Sequence, residues 1–183
     1  AHGGNIDARG EYVALADSLG ATMNFSLLSA PVESDELAAV LPDDAALERL
    51  AQATLALSRD GVPVLSDTPV STRLTTTCGC GAGCTMVSVS ADGEVFPCHM
   101  MHDEAFSLGS LLEDSGCLAA RHAPAPRVAE LAACADCDIR YLCGGGCRAR
   151  AYFATGDVEA RDPYCSLMRT FYRLLFEAML GRN

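Results

Sequence analysis

The residues whose type and spacing carry chemistry are the cysteines. There are ten, of which nine fall between Cys78 and Cys147 and the last is Cys165, while the first seventy-seven residues have none. The densest run is Cys134-Ala-Asp-Cys137-Asp-Ile-Arg-Tyr-Leu-Cys143-Gly-Gly-Gly-Cys147, a CxxC continued by CxxxxxC and CxxxC. Thiolates this close in sequence can share one metal centre, and a cysteine set just past three others is often turned toward a second centre. Upstream, Cys78, Cys80 and Cys84 precede a hairpin signal, and Gly93 stands five positions before Cys98. A disulfide framework belongs to short secreted chains. Here the cysteines are local, which favours metal chemistry in a reducing cytoplasm. Structural zinc is the main rival, since two CxxC-like pairs can make tetrahedral sites. Zinc alone does not account for eight or more thiols in this order.

Other polar groups sit close to these thiols. Gly144, Gly145 and Gly146 lie between two candidate ligands, where glycine lets the backbone pass a bulky cluster and aim N–H groups at its sulfides. Arg140, Arg148 and Arg150 can offset the charge of a thiolate-ligated centre, or serve as surface partners for the surplus acids. His99 and His102 are candidates for a ligand or a proton carrier, but a histidine beside a ligand is more often a supporting or surface residue. Cys117 matches no part of the spacing and reads as a small core residue or a lone thiol.

The elements that must position these groups follow from periodicity. Ala8 to Leu19 reads as a helix with Tyr12, Leu15, Ala16 and Leu19 on its apolar face, Asp7 as N-cap and Gly20 as terminator. Thr22 to Leu28 alternates as a strand does, and Asp43 to Ser58 reads as a helix with Leu47, Leu50, Ala51 and Thr54 on one face. The segment VPVLSDTPVSTRLTTT that follows Gly61 reads as an extended linker, with a domain boundary near Ser71. Met86 to Ser90 and Glu94 to Phe96 flank Asp92-Gly93, a hairpin signal. Pro163 to Leu180 reads as a helix capped by Asp162 and stopped by Gly181, with Leu167, Phe171, Leu174, Leu175 and Ala178 facing a core.

Length and charge bound the partners. The 183 residues suffice for one ordinary domain, or for a small domain joined to part of a larger one. The sequence opens on Ala1 with neither a basic start nor an apolar run, which reads as a start within a longer protein. No apolar stretch reaches the roughly 18 residues that a bilayer span needs, so a membrane is not an expected partner. A net charge of -11 with no dense basic block argues against nucleic acid.

With these residues in place, the sequence resembles the SPASM region of radical S-adenosylmethionine enzymes. That pattern is a Cys, a Gly-x4-Cys after a hairpin, then C-x2-C-x5-C-x3-C and a last Cys. The matching residues are Cys78 or Cys80, then Gly93 with Cys98, then Cys134, Cys137, Cys143 and Cys147, then Cys165. The CGAG at Cys80 to Gly83 and the DGEVFPC ending at Cys98 are also similar, and the likeness covers about the last hundred residues. It implies an α+β chain: residues 1–70 as the end of a partial (β/α) radical enzyme barrel plus linker, and 71–183 as a small cysteine-rich domain with a hairpin and a C-terminal helix. It further implies two [4Fe–4S] clusters. Cys134, Cys137, Cys143 and Cys165 would hold an outer one. Four of Cys78, Cys80, Cys84, Cys98 and Cys147 would hold an inner one. Cys78 with Cys84 fits fully ligated members, whereas Cys80 fits the CxAG form.

Two functions follow. In the first, the resemblance implies an enzyme that oxidises or cross-links a ribosomal peptide or a protein, with S-adenosylmethionine and a third [4Fe–4S] cluster in the complete protein. Its partners would be the peptide or protein substrate and an electron donor such as flavodoxin or ferredoxin. The CxxxCxxC loop of such enzymes is absent from these residues, so this stretch alone should not cleave S-adenosylmethionine. Asn24 and Ser26 are candidates for the barrel lumen. In sulfatase-maturating relatives an aspartate follows the cysteine equivalent to Cys98. His99 stands there in this chain and counts against that activity. In the second function the same cysteines make a two-cluster electron carrier, for which the α/β segment has no evident use.

Overall fold

The computed structural model describes residues 3–21, 26–29, 39–59, 80–112 and 125–181. The longest helices set the frame. Asp43 accepts the N–H of Ala46 on its side chain at 2.7 Å, the arrangement of an N-cap aspartate, and α1 (Arg9–Ser18) is followed by α2 (Asp44–Arg59). On α2 the residues Ala46, Leu47, Leu50, Ala51 and Leu55 recur at helical spacing and are buried. Thr54 is buried with them, its hydroxyl donating to the Leu50 carbonyl at 2.7 Å. The predicted face of α2 is the observed one.

That stripe packs on the last helix. Leu167, Met168, Phe171 and Tyr172 of the helix Cys165–Met179 are buried, and they form one core with α2, Ile6, Leu27, Ile139 and Tyr164. Each such side chain is worth about 1.5–3 kcal/mol when fully buried. Packing therefore holds these helices together, more than their own propensity does. The boundary predicted near Ser71 falls outside the described residues, and residues from both sides of it meet in this core.

The first helix departs from the sequence reading. Tyr12, Leu15 and Leu19 are 39%, 56% and 71% exposed. Asp7 is not a cap, because it is engaged by Arg49 at 3.0 Å and no side chain caps α1. The helix docks instead through buried Ile6 and through Arg9, whose guanidinium donates to the Thr54 hydroxyl at 3.2 Å. A polar anchor thus overrides the apolar stripe. Gly20 ends the helix as expected, at φ +62, with Ala21 N–H bonded to the Ala16 carbonyl. Of the predicted strand Thr22 to Leu28, residues 22–25 lie outside the described residues, and 26–29 are not in a strand.

The second layer is a small antiparallel sheet. β1 (Ser88–Val89) pairs with β2 (Glu94–Phe96), Val89 opposite Val95, and the turn closes at Gly93 with φ +86. A third strand, β3 (Gly109–Ser110), pairs with the other edge of β2. Two residues of glycine and serine carry no strand signal, so β3 was not predicted. Among the described residues three further α-helices follow: α3 (Arg140–Cys143), α4 (Arg148–Thr155) and α5 (Cys165–Met179). Asp162 does not cap α5 directly. The residues Pro163 and Tyr164 form a turn before it, and Asp162 accepts the Tyr164 N–H at 2.9 Å. Among the described residues no helix is long and apolar enough to cross a membrane.

The packing gives a contrast that mutagenesis can check. Leu50→Ala should lower the unfolding free energy by about 2–5 kcal/mol, the usual range for a leucine lost from a closed core. Leu15→Ser should change it by no more than about 0.5 kcal/mol. Denaturant titration of the two variants measures both. Equal effects would mean that α1 is buried through its apolar stripe after all.

Candidate metal centre

The turn after Cys80 is closed by three amides, those of Cys84, Thr85 and Met86, which all donate to the Gly81 carbonyl. Gly83 N–H reaches the Pro97 carbonyl at 3.0 Å, which lays this turn against the residue before Cys98. Cys98 follows β2 and is 7% exposed. Cys80, Cys98 and Cys147 share one apolar cluster with Ala82, Met101 and Ala149. Burial pushes the Cys98 thiol up, Cys80 and Cys147 push it further, and the amides of Met100 and Met101 hold it down. Cys84 is exposed on the same turn, and Cys78 and Cys117 lie outside the described residues.

The other thiols gather elsewhere. Cys134 closes a short 3-10 turn at Ala132–Cys134, Cys143 ends α3, and Cys165 begins α5. Cys137 and Cys143 pack on the large core. Burial raises Cys143 from 9.0 to about 11, with Cys165, Asp162 and Cys134 adding to the rise and the Gly145 amide opposing it. Cys165 is raised by burial and then by Cys137 and Cys134, and is held down by Arg161 and Arg169. The chain therefore brings Cys134, Cys137, Cys143 and Cys165 into one neighbourhood, and turns Cys147 away from Cys143 into the other. A hollow of about 890 Å³ borders Cys165 and is lined in part by Arg161, Arg169 and Arg173.

Between the two groups lies a carboxylate that the sequence reading assigned only to a helix cap. Asp162 is 6% exposed and accepts the Cys147 amide at 2.6 Å. Arg150 donates to it from Nε at 3.2 Å and from Nη2 at 2.7 Å, and the guanidinium also lies over the Tyr164 ring. Arg148, equally buried, donates to the carbonyls of Val158 and Ala160 at 2.9 Å each and to that of Gly145. Neither of these arginines is a surface partner, as their spacing among acids had allowed. Arg140 donates to the Ala135 carbonyl at 2.6 Å.

The glycines answer to the same crowding. At Gly145, φ is +91 and a Cβ would stand 2.7 Å from Leu131. At Gly146, φ is +75 and a Cβ would stand 2.7 Å from Asp162. These positions exclude side chains because the loop is pressed on Leu131 and Asp162. The Gly145 amide is thereby aimed at the Cys143 sulfur. His102 is exposed, stacked on Phe96 and bonded to the Ser88 hydroxyl at 2.7 Å, while His99 is exposed beside Cys98. Among the described residues no cysteine is in a disulfide, and no three ligating side chains converge as a single ion would require.

No family model matches the chain. Relatives do. The mycofactocin maturase MftC of Mycolicibacterium smegmatis is 27% identical over 174 residues, covering 88% of this chain and 44% of that protein. The PqqA peptide cyclase of Methylorubrum extorquens is 32% identical over 99 residues, 49% of this chain and 25% of that one. Among solved structures, anSMEcpe with AdoMet and a Cp18Cys peptide bound superposes with a TM-score of 0.65 at 14% identity, over 98% of this chain and 55% of its own. These likenesses support the resemblance to radical S-adenosylmethionine enzymes with a SPASM region that the cysteine spacing carries. The structural likeness adds the fold. The chain spans less than half the length of these two relatives and about half that of the solved structure.

The raised thiols make the metal-free protein sensitive to alkali. A thiol with a folded pKa above its unfolded one stabilises the fold fully below about pH 9, and that contribution is lost as pH rises through about 11 for Cys143. The melting temperature of reduced, metal-free protein should therefore fall between pH 9 and pH 11. Cys143→Ala should flatten that fall. Circular dichroism melts under reducing conditions decide it, and identical slopes in the two proteins would refute the assignment.

Proposed function

We propose that this chain is the iron–sulfur-carrying C-terminal portion of a radical S-adenosylmethionine peptide maturase, holding two [4Fe–4S] clusters with interleaved ligands. The observation that carries the reading is the sorting of the thiols: Cys80, Cys98 and Cys147 share one apolar cluster, while Cys137 and Cys143 pack on the other core, with Cys134 and Cys165 the electrostatic neighbours of Cys143, and Cys134 and Cys137 those of Cys165. The outer cluster would take the latter four. The inner one would take Cys98, Cys147 and Cys80, with Cys78 or Cys84 as the remaining candidates. The residues fit the group. Each set is thiol-only, lies against apolar side chains, and has amide donors on its sulfurs from Met100, Met101 and Gly145. Such donors stabilise the reduced, more negative state of a cluster.

When bound, the clusters would supply one-electron steps. The chain's own part is to hold their ligands, exclude water around Cys98 and Cys143, and carry Arg161 and Arg169 beside Cys165. We place radical generation outside these residues, because they contain no CxxxCxxC. A peptide substrate is supported by the relatives named for a maturase and a peptide cyclase, and by the neighbour with a bound peptide. An electron donor such as flavodoxin or ferredoxin in the cytoplasm completes the proposal. A bare electron carrier is less favoured: the helix that begins at Cys165 is packed on α2, which a carrier has no need of.

Anaerobic reconstitution should yield close to two [4Fe–4S] clusters per chain. Stoichiometric zinc with no acid-labile sulfide would overturn the reading. The wiring has its own test in the electron paramagnetic resonance of reduced variants. Cys147→Ala should match Cys98→Ala, and Cys165→Ala should match Cys134→Ala. If Cys147→Ala instead grouped with Cys134→Ala, the interleaving would be wrong even with two clusters present.

A further inference from the structure

The two thiol groups are joined by more than the chain between them. Asp162 binds the Cys147 amide through its side chain, and its own carbonyl accepts the Cys165 amide at 2.9 Å. One residue thus fixes a ligand of each set. The carboxylate is an electrostatic neighbour of Cys143, and its partner Arg150 is one of Cys147. The pair is 6% exposed on both sides, so water does not compete for its bonds. The loop has no slack beside it, since even a methyl group at Gly146 would collide with Asp162.

We infer that the buried Arg150–Asp162 pair is the positioning element that couples the two thiol sets, so that filling one iron–sulfur centre favours filling the other. This rests on the two-centre reading above. Drawing Cys147 into place around the inner centre fixes its amide, hence Asp162, hence the turn that delivers Cys165 to the outer centre. The same chain of contacts runs in reverse, as coupling between sites must. Ordering this path once serves both centres, and the second to fill meets ligands already in position.

The test is the distribution of cluster number at limiting iron, read by native mass spectrometry of anaerobically loaded protein. With independent and equal sites, half-loading leaves roughly half of the molecules with one cluster. With the coupling proposed, the second cluster binds at least about 5-fold more tightly than the first, and the one-cluster species is correspondingly scarce. Asp162→Asn removes the charge while keeping the shape, and should raise the one-cluster fraction toward the independent value. Because that variant leaves Arg150 as a lone buried cation, the doubly neutral Arg150→Met, Asp162→Asn protein serves as the second variant. It should fold by circular dichroism and show the same loss of coupling. A parent distribution already at the independent value, or variants that load as the parent does, would overturn the inference. A parent that never takes up two clusters at saturating iron and sulfide would sink the two-centre reading itself, and the coupling with it.

Discussion

The hydrogen bond from the Cys147 amide to Asp162 is the contact on which the rest of this structure turns. At 2.6 Å, between a backbone donor and a buried carboxylate already held by Arg150, it belongs to the charge-assisted class. The pair itself is no strong source of stability, since desolvation of two charges offsets most of their attraction. Its effect is on geometry. Removing one partner would strand a buried charge, at a cost of about 3–5 kcal/mol, so the loop has little choice but to keep its path. That path sends Cys147 to the cluster of Cys80 and Cys98, although only three glycines separate it from Cys143.

The two apolar clusters around the thiols are unequal. Among the described residues, the one that receives Cys137 and Cys143 contains thirteen buried residues, including Leu167, Phe171 and Tyr172. The one that receives Cys80, Cys98 and Cys147 has four buried members among the described residues, two of them alanines. At about 25 cal/mol per Å² of apolar surface, the smaller cluster contributes far less to folding. Where little apolar area is buried, metal binding takes a larger share of the folding free energy. The pair at Asp162 links the weak cluster to the strong one, so the packing of α5 on α2 lends order to the weak cluster's ligands through it.

Much of this was legible in the sequence, and the failures share a cause. The face of α2 was read correctly because Leu47, Leu50, Ala51 and Thr54 follow a strict helical period and pack on one partner. The hairpin was read correctly because Asp92-Gly93 demands a turn whatever surrounds it, and Gly93 takes the positive φ expected. The grouping of the thiols into two ligand sets rests on the resemblance, since spacing alone cannot say which way Cys147 turns. The face of α1 was misread because a buried Arg9 bonded to Thr54 outweighs three apolar residues left exposed. Asp162 was misread because an aspartate before proline looks like a local cap. Its partner Arg150, twelve residues earlier, becomes a neighbour only after α4 folds back. Local signals were reliable where the determining partner was local.

The same reasoning explains the basic residues. All thirteen Lys+Arg positions are arginine. At the centre of the site this choice has a geometric basis: Arg148 reaches the carbonyls of Gly145, Val158 and Ala160 from two nitrogens, and Arg150 grips Asp162 from two more. An ammonium is a compact point charge on a flexible stem, more strongly hydrated and unable to present a planar fork. Lysine at 148 would have to reach three separated carbonyls from one nitrogen rather than two, and lysine at 150 would lose the bidentate grip that fixes the carboxylate plane. The orientation of that plane decides where Asp162 Oδ2, which also accepts from Arg150, meets the Cys147 amide. The path of the cysteine ligand is therefore set two hydrogen bonds away from it, by the shape of a guanidinium as well as by its charge.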